Sequence, residues 1–189
     1  MKTIKFYMTL VIMAMVCVTT FSACGDDDDD DNNGTGATNF SKFSVDGQKY
    51  DFSAYGFFID NGSDGGERTG SFMFSNINLS KGLSQNVPWT YISVRIPYNG
   101  TSIPEGSFTN NVDADFDINY KISEDTCELT GWSTNLTLTV KKSGTGYVVD
   151  ITSNNFYTAK DYNSTGKKST GSLLFHYEGS IQKLTNSIY

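Results

Sequence analysis

From residue 40 onward, apolar and polar positions alternate in short runs, and no sustained apolar stripe at helical spacing interrupts them. Phe43 and Val45 lead into Asp46-Gly47, and Lys49 to Phe52 follow. A D-G pair between two such runs predicts a tight hairpin. Residues 54–59, Ala-Tyr-Gly-Phe-Phe-Ile, extend that strand or begin another; Asp60 to Gly66 reads as a polar, Gly-rich loop, and Ser71 to Leu79 as a strand. Ile92, Val94 and Ile96 oppose Tyr91, Ser93 and Arg95 at period 2. Asn99-Gly100 and Pro104-Glu105-Gly106 punctuate the chain before Phe116, Ile118, Tyr120 and Ile122, which alternate again. Leu136, Leu138 and Val140 face inward, then Lys141 to Gly146 turns the chain into Tyr147, Val149 and Ile151. The last strand, Ser172 to Ile181, sets Leu173, Phe175, Tyr177 and Ile181 against Leu174, His176 and Glu178. Short strands with frequent turns predict an all-β fold of eight to ten strands: a single antiparallel β-sandwich or a lipocalin-like β-barrel.

The first 39 residues break this pattern. Lys2 and Lys5 precede an apolar stretch from Phe6 to about Val18, too short to span a bilayer, which takes roughly 20 residues. Basic, apolar and small-residue regions in that order make a secretory signal. The segment closes on Phe21-Ser22-Ala23-Cys24. Small residues before a cysteine resemble the lipobox of bacterial lipoproteins, with Phe21 where that pattern favours Leu. The expected organisation is a signal peptide at 1–23, a lipidated Cys24 and acidic tether at 24–39, and one β domain at 40–189. The resemblance implies palmitate-type acylation at Cys24; two or more chains make attachment stable where one does not.

Asp26 to Asp31 are six consecutive aspartates. They cannot build a core, and their mutual repulsion favours an extended tether. Their place just after the cysteine is similar to the export signal of surface lipoproteins in the Bacteroidetes. That resemblance implies an outer-membrane, lipid-anchored protein at the cell surface, with the periplasmic face as the alternative. Ile103-Pro-Glu-Gly-Ser-Phe-Thr109 and the closing strands also resemble pieces of small Bacteroidetes lipoproteins whose domains have no established activity.

Charge and cysteines narrow the function classes. Loss of Lys2 and Lys5 leaves 12 basic residues against 21 acidic ones, a balance of −9, most of it in the aspartate run. No basic footprint for nucleic acid exists. If Cys24 carries lipid, Cys127 has no intrachain partner, and the core must supply stability without a disulfide. Enzyme chemistry is not expected: His176 is the only histidine, no G-x-S-x-G motif occurs, and nothing pairs two of Glu67, Glu105, Glu124, Glu128 and Glu178.

Two clusters remain as candidate sites. Asp113, Asp115 and Asp117 lie on one face if the chain is extended, and could hold calcium. An EF-hand is ruled out, because Ile118 stands where the sharp turn needs Gly. Trp89, Tyr91, Tyr98 and Trp132 are candidates for stacking on sugar rings. The expected function is therefore a non-catalytic β domain binding a glycan, another ligand or an outer-membrane protein. The alternatives are a lipocalin-like carrier of apolar ligands, its cavity lined by Phe57, Phe72, Phe74 and Phe175, and a structural or adhesion protein of the envelope. No cofactor other than calcium is implied. Cys24→Ala should move the protein from the membrane pellet to the soluble fraction, and protease added to intact cells should remove the wild-type domain. A variant still pelleting with membranes would refute the anchor.

Overall fold

The Asp46-Gly47 pair turns as its sequence requires, with φ of 53° and 81°, the double positive φ of a two-residue hairpin. The Asp46 carboxylate also accepts from the backbone N–H of Gly171 at 3.0 Å and from the Ser169 hydroxyl. The hairpin is thereby tied to the segment that enters the last long strand. The computed structural model describes residues 39–64, 67–82, 87–160 and 165–184. The signal segment, Cys24 and the aspartate run lie outside them.

Among the described residues the chain forms strands and one short 3-10 turn, Leu79–Lys81, with no α-helix. The strands are β1 Phe40–Val45, β2 Gln48–Tyr50, β3 Tyr55–Asp64, β4 Glu67–Ser75, β5 Trp89–Pro97 and β6 Gly106–Phe108. They continue as β7 Asp113–Tyr120, β8 Leu129–Ser143, β9 Gly146–Ala159, β10 Lys167–Lys168, β11 Leu173–Gly179 and β12 Ile181–Leu184. All belong to one sheet, ordered β12-β3-β4-β5-β7-β8-β9-β11-β1-β2, with β10 on β9 and β6 on β8. The hydrogen-bonded path is open, not a closed barrel. It exceeds the expected strand number because the short β6, β10 and β12 carry no periodic signal of their own.

The sheet is mixed rather than purely antiparallel. β12 pairs parallel with β3, from Ile181 opposite Gly56 to Leu184 opposite Ile59. The expected last strand, Ser172 to Ile181, breaks at Ser180. The chain does not reverse there, so β12 keeps the direction of β11 and meets β3 running the same way. β11 and β12 lie seven places apart in the sheet order yet are separated by one residue. Strands spaced about 4.8 Å apart can meet that condition only if the sheet curls.

The inner face of the curl carries the main core: Phe43, Phe58, Phe72, Phe74, Phe116, Phe175 and Tyr177 among aliphatic side chains from β5, β7, β8 and β9. Ring centroids lie 4.8 Å apart for Phe74–Phe175 and Phe74–Tyr177, and 4.9 Å for Phe58–Phe72, distances of direct aromatic packing. Three of the four rings expected to line a ligand cavity, Phe72, Phe74 and Phe175, are packed here. The fourth, Phe57, points to the opposite face. There it joins Ile59, Met73, Ile77, Leu79 and Trp89 in a second, smaller cluster. This part of the sheet is apolar on both faces, which explains the unbroken run at 57–59.

Two other segments depart from expectation. The loop expected at Asp60 to Gly66 continues as ladder through Asp64, with a bulge between Asp60 and Gly62. Arg68 braces it by an ion pair to Asp60 at 2.5 Å, which holds the Asp60 carboxyl below the usual carboxylate range. The strand expected at Ser71 to Leu79 ends at Ser75, whose hydroxyl accepts from the Ile77 N–H and turns the chain aside.

Tyr177 fastens the break between β11 and β12. Its hydroxyl donates to the Ser180 carbonyl at 2.5 Å, and burial pushes its pKa up to about 12. A phenol whose ionisation is harder in the folded state takes stability away as pH rises from its unfolded value near 10 towards 12. Tyr177→Phe should lower stability at neutral pH by about 1 kcal/mol and flatten the alkaline decline. Denaturation midpoints at pH 7 and across the alkaline range test this; a variant with the wild-type slope would refute it.

Candidate functional site

Two matched irregularities in β8 and β9 decide which side chains face solvent on the outer face. Along β8, Leu136, Leu138 and Val140 point inward; along β9, Val149, Ile151 and Ser153 do. Strict alternation would carry Trp132 and Tyr157 inward as well. Instead the register shifts between Trp132 and Asn135 and again before Thr137. Ser133 and Phe156 are buried, at 1% and 0% exposure, while Trp132 and Tyr157 are 41% and 39% exposed. A bulge that inserts one residue exchanges the faces of everything beyond it. Here the bulges oppose each other, so both strands exchange together.

The backbone groups freed by the bulges are held by two buried hydroxyls. Ser133 Oγ accepts from Asn135 N–H at 3.3 Å and donates to the Asn155 carbonyl at 2.9 Å. Ser153 Oγ accepts from Asn155 N–H at 3.1 Å and donates to the Asn135 carbonyl at 2.8 Å. These bonds meet the requirement that buried peptide groups be paired.

Register then lays one row of side chains across the outer face: Met73, Ser93, Asp115, Trp132, Tyr157 and Lys168, from β4 to β10. Cross-strand partners project to the same side. The row is buried over β4 and β5 and opens to solvent over β8 and β9. The rings of Trp132 and Tyr157 stack at 11° with centroids 5.6 Å apart. The far edge of the indole rests on the backbone of Gly166, where a Cβ would sit 2.1 Å from Cη2. Only glycine permits that contact, which packs its backbone against the far edge of the indole.

The four aromatic candidates divide between this face and the interior. Tyr91 lies half-buried on the same face, hydrogen-bonded to Asp115. Trp89 is 7% exposed, its indole N–H donating to Ser75 Oγ at 2.6 Å and its ring 4.4 Å from that of Tyr91. It covers the smaller apolar cluster and supports Tyr91. Tyr98 is in the main core, edge-on to Phe58 at 4.8 Å, with its hydroxyl donating to the Ser102 carbonyl and accepting from Lys183. The structure therefore places Tyr91 and Trp132 on one face and uses Trp89 and Tyr98 as packing. Tyr157, absent from the expected set, completes the exposed pair.

Asp113, Asp115 and Asp117 do share one face of β7, opposite Arg95, Ser93 and Tyr91 in turn. They do not converge as a calcium site would require. Strand geometry separates alternate residues by about 6.6 Å, and no group of three or more acidic, His or Cys side chains among the described residues is placed to hold a metal ion. Asp117 is buried, Asp113 stands 3.9 Å from Arg95 in an exposed pair, and Asp115 takes the Tyr91 hydrogen bond. Although the Asp115 residue is exposed, packing around its carboxyl raises its pKa by desolvation; the Tyr91 bond opposes this, and the charges of Asp117 and Asp113 add to it.

His176 lies apart, on the outer face of β11. Asp150 Oδ1 is 2.7 Å from Nδ1 and Glu178 Oε1 is 3.0 Å from Nε2. The Cys127 thiol donates to the Lys160 carbonyl, with Sγ 3.7 Å from the oxygen.

Because ionising Asp115 is harder in the folded state, it subtracts stability above the usual carboxylate range and nothing well below it. Asp115→Asn, which still accepts from Tyr91, should raise the melting temperature at pH 7, and the gain should vanish towards pH 3.5. Equal melting temperatures at both pH values would refute this origin of the shift.

Comparison of the chain with known protein families, curated proteins and solved structures finds no match.

Proposed function

We propose that the protein is a surface lipoprotein, anchored through Cys24, whose β domain captures glycans on the outer face of β5, β7, β8 and β9. The observation that carries this reading is the Trp132–Tyr157 pair. Two large rings are held in the open by a paired distortion of two strands, at positions where regular alternation would have buried them. A sugar ring presents polarised C–H groups that stack on such faces. The rings are fixed in advance by each other and by Gly166, so little side-chain freedom is lost on binding. Carboxylates and Arg95 in the adjoining rows supply the directional hydrogen bonds that orient a ligand.

Of the two expected architectures, the curled sheet favours the lipocalin-like one over a two-sheet sandwich. The interior rings in contact at 4.8–4.9 Å favour use of the outer face over carriage of an apolar ligand inside. The aspartate run, by charge repulsion, favours an extended tether between the anchor and the domain.

Trp132→Ala and Tyr157→Ala should each weaken binding to glycan-array hits at least tenfold, about 1.4 kcal/mol, while the melting temperature stays within a few degrees of wild type. Unchanged binding would refute the site. A collapse in melting temperature would show that the pair serves the core instead.

A further inference from the structure

The ring pair does not stand alone on its face. Two solvent-facing hollows lie beside it, both towards the Thr134 end of the face. One, of about 430 Å³, is lined by Arg95, Asn111, Asp113 and Thr134 with Glu67 and Thr69. The other, of about 280 Å³, lies at the paired bulges and is lined by Asn135, Thr137, Thr152 and Asn154. Thr134 and Asn135 are consecutive, and Trp132 precedes them by two and three positions. The hollows and the rings therefore form one tract along and across the central strands.

The chemistry of the hollows matches sugar hydroxyls. Amide and hydroxyl side chains both donate and accept, as each sugar hydroxyl does. From β5 to β9 the tract crosses four neighbouring strands, about 14 Å at ordinary strand spacing. That is the reach of a short oligosaccharide, longer than one ring. A terminal-sugar site would close around a single ring, whereas this tract continues past the aromatic pair over two open hollows.

Charge selects the class of chain. Glu67, Asp113 and Asp115 line or border the tract. Arg95 already faces Asp113 at 3.9 Å, and Lys168 stands beyond Tyr157. A uronate or sulfated chain would meet like charges beside the platform. Resting on the saccharide reading of this face, we infer that the site binds a short run of a neutral oligosaccharide, with one sugar stacked on Trp132 and Tyr157 and the sugars that follow it in the two hollows.

The test uses the detergent-solubilised full chain in affinity electrophoresis through gels containing mixed-linkage β-glucan, galactomannan, arabinoxylan or amylopectin, with polygalacturonate and chondroitin sulfate as acidic counterparts. Retardation by at least one neutral polysaccharide and by neither acidic one is expected. Calorimetry with mono- to hexasaccharides of the retarding polymer should then show at least a tenfold gain in affinity from one sugar to four. Asn154→Ala, at an exposed position, should weaken the tetrasaccharide several-fold. Retardation by the acidic polymers alone would overturn the charge argument, and a monosaccharide bound as tightly as a tetrasaccharide would overturn the extended tract. If no polysaccharide of either class retards the protein, the saccharide reading itself falls, and this inference with it.

Discussion

One strand line carries the fold. Leu173–Gly179 pairs with β9 and β1, and after Ser180 the same run of chain pairs with β3. Two parts of the sheet that a flat arrangement would hold far apart are thereby fixed to consecutive residues. The curl follows, and with it the division into an inner face filled by phenylalanines and an outer face open to water. Tyr177 sits at the junction with its ring in the core and its hydroxyl on the Ser180 carbonyl. It closes the apolar interior and satisfies the peptide group exposed by the break in the ladder.

The second constraint is local. An exposed aromatic pair on a sheet is a liability unless something prevents the strand from turning it inward. Here the prevention is built into the backbone. Opposed bulges exchange the faces of β8 and β9 together, and two serine hydroxyls hold the displaced peptides. The rings are outside because the backbone register leaves them no inward position, and Phe156 and Ser133 take the inward places instead.

Much of the fold was legible where alternation is uninterrupted. The Asp46-Gly47 hairpin, the inward sets Ile92–Val94–Ile96 and Leu136–Leu138–Val140, and the outward His176 all lie where period 2 places them. The site was harder to read. Trp132 could be named from its residue type, but its partner could not, because counting by twos from Ile151 puts Tyr157 inside. The signal that could have found it is Ser133 and Ser153, each two residues before an Asn, the second a polar residue at a position that period 2 places inward. Tyr98 misled for a different reason: beside a turn it reads as exposed, yet its hydroxyl reaches Ser102 and Lys183, which lets the ring enter the core. The parallel β12 left no trace, since four residues in register with a strand more than 120 positions earlier have no local pattern to show.

The place of β12 in the chain also has a consequence in time. The edge of β3 is among the first parts of the domain to leave the ribosome, and the strand that covers it is among the last. Throughout synthesis that edge lies without its partner, next to the aromatic run at 57–59. Pairings so distant in sequence form slowly, and an unpaired, apolar strand edge is the kind of surface on which chains associate wrongly. A polypeptide wired in this way is suited to a life history in which it is kept unfolded until all of it has arrived, and only then allowed to fold at once.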